Sequence, residues 1–189
     1  ASFVVKKQFS DTSEEGLAFI YATEGSTLDS LHEDLFKQIS REKKGGAGNA
    51  TSNTMDILNK LPRWFVKFFI WLMRQLDRHG IVPKAIIEAD PYYASVILSN
   101  LGSIKLRSGY HHLTNWGTTS LFVVVGEMKE RIFRNENGED EYRNSVDLGL
   151  TIDERLADGY YYSKSVRLLK YILEHPECLE RPFSEPVDY

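Results

Sequence analysis

An α/β sandwich, with helices packed on a mixed sheet, is the fold class this sequence predicts, and three observations predict it. Two short runs, 93–99 (YASVILS) and 120–125 (SLFVVV), are rich in β-branched residues and read as buried strands. In 142–152, Val146, Leu148, Leu150 and Ile152 alternate with Asp147, Gly149 and Thr151, which predicts a strand with one dry face. Between and after these runs lie segments with apolar residues at three- and four-residue spacing, as expected of helices that bury one side.

Taken in order, residues 2–9 and 17–23 read as strands of a hairpin, joined across the polar stretch SDTSEEG. Thr27 or Ser26 can then cap a helix in which Leu28, Leu31, Leu35 and Ile39 recur. Lys43 and Lys44 suit its C-terminal end, and Gly45-Gly46 closes it. The stretch GGAGNATSNT reads as a connector and lacks the Gly-Lys-Ser/Thr of a phosphate-binding loop. A short helix is expected around 55–61. A longer one follows with Pro62 in its first turn, and Gly80 and Pro83 stop it. Trp64, Phe65, Phe68, Phe69, Leu72, Met73 and Leu76 give that second helix a broad apolar face. Residues 129–134 and 142–152 read as a long hairpin around NENGED. The last helix starts after Gly159, carries a stripe of Val166, Leu169, Ile172 and Leu173, and ends at His175-Pro176.

With 189 residues, the chain suits one domain spanning 1–189. Its 42% hydrophobic and 26% charged content is ordinary for a folded protein. A net charge of -4 argues against a dedicated nucleic-acid binder. The single cysteine, Cys178, cannot close an internal disulfide and lacks the basic neighbours of a reactive thiol. The opening residues carry no basic segment followed by an apolar run, as a secretory leader would. The most hydrophobic stretch, 61–76, is interrupted by Arg63, Lys67 and Arg74, and falls short of the ~18 uncharged residues of a membrane span. A cytoplasmic protein without a membrane span is the expectation.

Two segments could carry chemistry. One is a strand ending Ser99-Asn100-Leu101-Gly102; the other is Asp153-Glu154-Arg155-Leu156-Ala157-Asp158-Gly159, a charged turn between a strand and a helix. In this order they resemble the catalytic domain of dihydrolipoyl acyltransferases, the core components of 2-oxo acid dehydrogenase complexes, which share the chloramphenicol acetyltransferase-like fold. That family's signatures are Ser-Asn-x-Gly at a strand end and Asp-His-Arg-x-x-Asp-Gly before the final helix. SLFVVVGEMKER, LLKYILEHPECLERP and STLDSLHEDLFKQI are similar to further family segments, so the resemblance runs over about residues 1–182.

The resemblance implies a homotrimer with active sites between subunits, coenzyme A or acyl-coenzyme A as substrate, no metal, and a dihydrolipoyl group or small molecule as acyl acceptor. It also implies that a histidine deprotonates the attacking thiol while a serine hydroxyl stabilises the oxyanion. A thiol of pKa ~8.5 gains from a base tuned near neutrality, and a hydroxyl aimed at developing charge adds to the rate. Ser99 matches the serine. Glu154 stands where the family has histidine, and a glutamate of ordinary pKa ~4.3 is a far weaker base toward a thiol. Glu154 is thus a substitute base, a relic of the site, or a member of an ion pair; loss of the original role is the reading preferred. Losing a positioned base typically costs ~10²–10⁴-fold in rate, so the activity is expected to be impaired or absent, in the latter case leaving a trimeric binding or assembly scaffold.

Asp158 is expected to hold its turn, with Arg155 as a local ion-pair candidate. His111 or His112, in the loop after the serine motif, could supply a replacement base. His32, His79 and His175 show no metal-ligand spacing. The aromatic face from Trp64 to Leu72 is expected to be core or trimer contact. Relative to the family, the chain reads as starting inside the domain, without its basic opening helix; either the protein is naturally short or part of it is absent, and in the second case some coenzyme-binding residues are absent too.

Overall fold

The computed structural model describes residues 1–6, 15–43, 60–181, 185–187 and 189. Its centre is one five-stranded mixed sheet. Strand β1 (Ser2–Lys6) pairs antiparallel with β2 (Glu15–Phe19) and parallel with β3 (Val96–Asn100). Strand β4 (Leu121–Arg134) runs parallel to β3 and antiparallel to β5 (Asp140–Ile152), giving the order β2-β1-β3-β4-β5. The crossover from β1 to β3 carries β2 and helices, whereas the one from β3 to β4, residues 101–120, holds only a 3₁₀ turn at Gly102–Ile104.

Helix α1 (Leu28–Lys43) begins at a reciprocal cap. The Ser30 amide donates to Thr27 Oγ1 at 3.2 Å and the Thr27 amide donates to Ser30 Oγ at 3.0 Å, which identifies Thr27 as the capping residue. Ser26 instead bonds Thr23. Gln38 fastens α1 to the sheet edge: the Phe19 amide donates to Gln38 Oε1 at 2.8 Å, and Gln38 Nε2 donates to the Phe19 carbonyl at 2.6 Å. The side-chain amide thereby replaces a neighbouring strand at this edge residue of β2.

Helix α2 (Arg63–Arg78) follows Pro62 and stops at Gly80, whose φ of 67° is left-handed. The short α3 (Lys84–Ala89) leads to a 3₁₀ turn at Pro91–Tyr93. The strand expected from residue 93 therefore starts at Val96, because Pro91 and the cap from Asp90 Oδ1 to the Tyr92 amide wind the chain first. The final helix is α4 (Gly159–Glu174), followed by a 3₁₀ turn at Pro176–Glu180. The expected helix at 55–61, apart from Lys60 and Leu61, lies outside the described residues, as do the connector and residues 7–9 of the first predicted strand. The second strand, expected over 17–23, is instead Glu15–Phe19, because its pairing with β1 ends where Phe19 meets Ser2.

The two runs expected at 120–125 and 129–134 are one strand, interrupted by a bulge between Val125 and Met128. Beyond it β4 has only β5 as partner, so the hairpin projects as a two-stranded arm. Arg131 grips Asp147 with two nitrogens and braces the arm at its root.

Ile97, Phe122 and Val124 form the core cluster, with Tyr92, Leu101 and Leu113 packed against it. The helices contribute little to it. In α2 only Met73 is buried, while Trp64 is 71%, Phe68 54% and Trp71 55% exposed. The stripe expected on α4 is mostly uncovered as well: Leu173 is 59% exposed, and the better-covered positions are Tyr162, Leu168, Tyr171 and Ile172. Among the described residues, too little apolar surface lies opposite α4 to bury the stripe.

Candidate functional site

Ser99 is the penultimate residue of β3, half-buried, and level with Val124 of β4. Among the described residues its hydroxyl makes no hydrogen bond. Asn100 shapes the exit: its Oδ1 accepts from the Ser103 amide at 3.2 Å and its carbonyl accepts from Ser103 Oγ at 2.9 Å. The glycine of the motif has a steric reason. A Cβ on Gly102 would lie 2.6 Å from the Gly126 carbonyl oxygen, so only glycine lets this turn lie against the bulge of β4.

In the second motif, Arg155 turns back onto Asp153 rather than forward to Asp158. Arg155 Nε and Nη2 donate to the Asp153 carboxylate at 2.6–3.0 Å, and the Arg155 amide adds a bond of 3.0 Å. Asp153 is only 12% exposed, and the hydrogen bonds from Arg155 hold its carboxyl below the ordinary range. Asp158 is the N-cap of α4, its Oδ1 accepting from the Tyr161 amide at 2.9 Å. The expected Arg155–Asp158 ion pair is thus corrected: Asp158 is spent on the helix start, where its charge also suits the helix dipole. Glu154 lies between these two, exposed, with no hydrogen bond or ion pair among the described residues.

The sheet register separates the two motifs. Ser99 is level with Val124 and Gly149, whereas Ile152 is level with Leu121 and Val96 at the other end of β3. Two strand spacings across and three residues along put Ser99 roughly 14 Å from Ile152 between Cα atoms, and Glu154 lies two residues further out. The structure therefore does not bring Ser99 and Glu154 together within one chain.

His111 does share a face of the sheet with Ser99. Its ring stacks on Phe122 at 4.3 Å between centroids and 5° between planes, and its amide donates to Thr151 Oγ1 at 3.3 Å. Phe122 and Ser99 are one strand and two residues apart, about 8 Å between Cα atoms. His111 Nδ1 lies 3.0 Å from the His112 carbonyl oxygen.

Sequence reading missed a cleft of about 310 Å³ lined by Arg74, Asp77, Arg78, Asn115 and Arg155. The signal available was Arg74 and Arg78 at helical spacing on one face of α2, followed much later by the motif arginine. Asp77 is engaged there by neutral donors, the Tyr93 hydroxyl at 2.8 Å and the Gly117 amide at 3.4 Å. Burial, together with Asp77, pushes the Tyr93 phenol well above its ordinary pKa.

No family model and no curated protein matches this sequence. Solved structures do. A probable dihydrolipoamide acetyltransferase from Listeria monocytogenes 4b F2365 superposes with a TM-score of 0.54 at 12% identity, over 100% of this chain and 59% of that one. Azotobacter vinelandii dihydrolipoamide acetyltransferase, studied for a serine, a histidine and an asparagine in its catalytic mechanism, gives 0.56 at 13% identity, over 94% and 54%. The cubic core of a pyruvate dehydrogenase multienzyme complex gives 0.57 at 12%, over 94% and 54%. The chain thus has the α/β fold of dihydrolipoamide acetyltransferase structures and spans a little over half of their length.

Proposed function

We propose that this chain is an acyltransferase-family protein that moves an acyl group between coenzyme A and a thiol or small acceptor, from a site completed between copies of a homotrimer. The observation that carries the reading is the placement of Ser99 and Glu154: both side chains are uncommitted, and they sit at opposite ends of the sheet. A site using both needs Ser99 from one copy and Glu154 from the next. In the Azotobacter vinelandii enzyme the histidine and asparagine stand four residues apart, the spacing of Glu154 and Asp158 here. Ser99 is the oxyanion donor in this reading. Glu154 or His111 takes the thiol proton, and Asp158 positions the turn.

A second reading, a catalytically silent trimeric scaffold, is favoured by one specific feature: Glu154 is exposed and, among the described residues, lacks any partner that would orient it as a base. Thiol release from a panel of acyl-coenzyme A donors separates the two. Activity in the wild type that falls ~10²-fold or more in Ser99→Ala supports the enzyme. A silent wild type with turnover gained in Glu154→His means an intact site without its base. Silence in both sinks the enzyme reading and leaves the scaffold.

A further inference from the structure

Three surfaces away from Ser99 and Glu154 invite a role: the aromatic face of α2, the apolar stripe of α4, and the arginine cleft between α2 and Arg155 of the second motif. The first two are unpartnered apolar faces with nothing to specify their occupant. The cleft is different, because its lining has a definite chemistry.

Three guanidiniums converge there against one carboxylate. Arg74 and Arg78 are one helical turn apart, and among the described residues neither has a hydrogen bond or carboxylate partner. Asp77 does not serve them, since the Tyr93 hydroxyl and the Gly117 amide occupy its oxygens. Arg155 spends Nε and Nη2 on Asp153, which fixes its plane and leaves Nη1 without a bond. Asn115 adds a neutral amide to the lining, and no aromatic or aliphatic side chain contributes to it. The volume of about 310 Å³ is at the lower end of small-ligand pockets. This concentration of positive charge is local, because the whole chain carries a net charge of -4.

Unpaired guanidiniums on a rigid helix, facing a third held in place by its own carboxylate, match a ligand with several anionic oxygens. Planar arginine forks bind phosphate through paired hydrogen bonds. We propose that this cleft is a phosphate-binding site, taking a diphosphate or phosphomonoester group with Arg74 and Arg78 as the principal ligands, Arg155 Nη1 as a third, and Asn115 as a neutral contact. The group could belong to a free phosphate compound or to the phosphate end of coenzyme A. The proposal does not depend on acyl transfer, and its test reads binding alone.

Inorganic pyrophosphate is titrated calorimetrically into the full chain. Saturable binding of one equivalent per chain is expected, weakened about tenfold in Arg74→Gln or Arg78→Gln and about a hundredfold in the double variant, with circular dichroism unchanged. Absence of saturable binding, or equal binding by wild type and a folded double variant, would overturn it. Should the double variant unfold, arginine Nε–Hε resonances of the wild type decide. Shifts confined to Arg74, Arg78 and Arg155 on adding pyrophosphate support the site, and shifts spread over surface arginines refute it. Competition names the source, given pyrophosphate binding. Displacement by coenzyme A but not by phosphate-free pantetheine assigns the coenzyme's phosphates, and no displacement by either assigns a free phosphate ligand.

Discussion

The guanidinium of Arg155 grips the carboxylate two residues before it, and that choice organises the second motif. Asp153 is nearly covered at the strand end, so a charged hydrogen-bond partner is worth more to it than to the solvated Asp158. Because the bonds from Arg155 lower the Asp153 pKa, the pair stabilises the fold fully above the ordinary carboxylate value of ~3.9. The contribution is lost as pH falls through the lower folded value. Wild type and Arg155→Gln should therefore differ in denaturant stability at neutral pH and converge in acid, while the Asp153 carboxyl resonance in the variant titrates closer to the ordinary range. An unchanged Asp153 titration would refute this. Asp158 behaves differently. Asp158→Ala should cost about 1 kcal/mol of stability through the lost cap, and Asp158→Asn should cost little, since asparagine caps as well. Equal loss in both would point to a role for the charge itself. At this scale the sequence was informative about type and poor about partners. Arg155 was visible as an ion-pair residue, but only the turn's path decided between two aspartates. The expectation for Ser99 and Glu154 came from motif order, while their separation needed the strand register.

Elements were legible where local chemistry decides them. The Thr27 cap with Ser30, Pro62 before α2, Gly80 after it, and the alternation in β5 each dictate a boundary or a face without distant help. Boundaries failed where a residue acts through its side chain: Asp90 and Pro91 delay β3, and the bulge fuses two apparent runs into β4. Gln38 was invisible in the sequence for the same reason, since a glutamine inside a helix signals nothing until the sheet edge is opposite it. Removing it should loosen α1 from β2. Gln38→Ala is expected to lower stability by roughly 1–3 kcal/mol, as two edge groups lose their partner, and to raise hydrogen exchange at the Phe19 amide above that of its neighbours. An unaltered Phe19 amide would show that solvent or another group satisfies it equally well.

At the scale of the whole molecule, the described residues leave several large apolar side chains in solvent. Buried hydrophobic residues among those described number six, while Trp64, Phe68, Trp71 and Leu173 are each more than half exposed. The core cluster lies under the 101–113 segment on one face of the sheet, and the helices keep much of their apolar surface outward. Patterning identified these helical faces correctly as apolar but could not say that the described residues would leave them uncovered, because that depends on area and not on period. Assembly supplies the missing cover in the reading proposed above. Sedimentation should find a trimer, and Trp64→Asp with Phe68→Asp should shift it toward monomer. A monomeric wild type at micromolar concentration would remove the basis for a shared site. Among the described residues no helix is long and apolar enough to cross a membrane.

The projecting hairpin of β4 and β5 has a mechanical meaning. Beyond the bulge its two strands pair with each other, and at its base Arg131 holds Asp147 and the backbone of Gly126 abuts Gly102, as a lever is held at a clamp. A load applied at the Asn137–Gly138 tip acts about that fulcrum. The torque would fall on the segment that rests against the base, which includes the turn after Ser99 and residues 106–109, so a partner that grasped the end of the lever would pull on the oxyanion side of the proposed site.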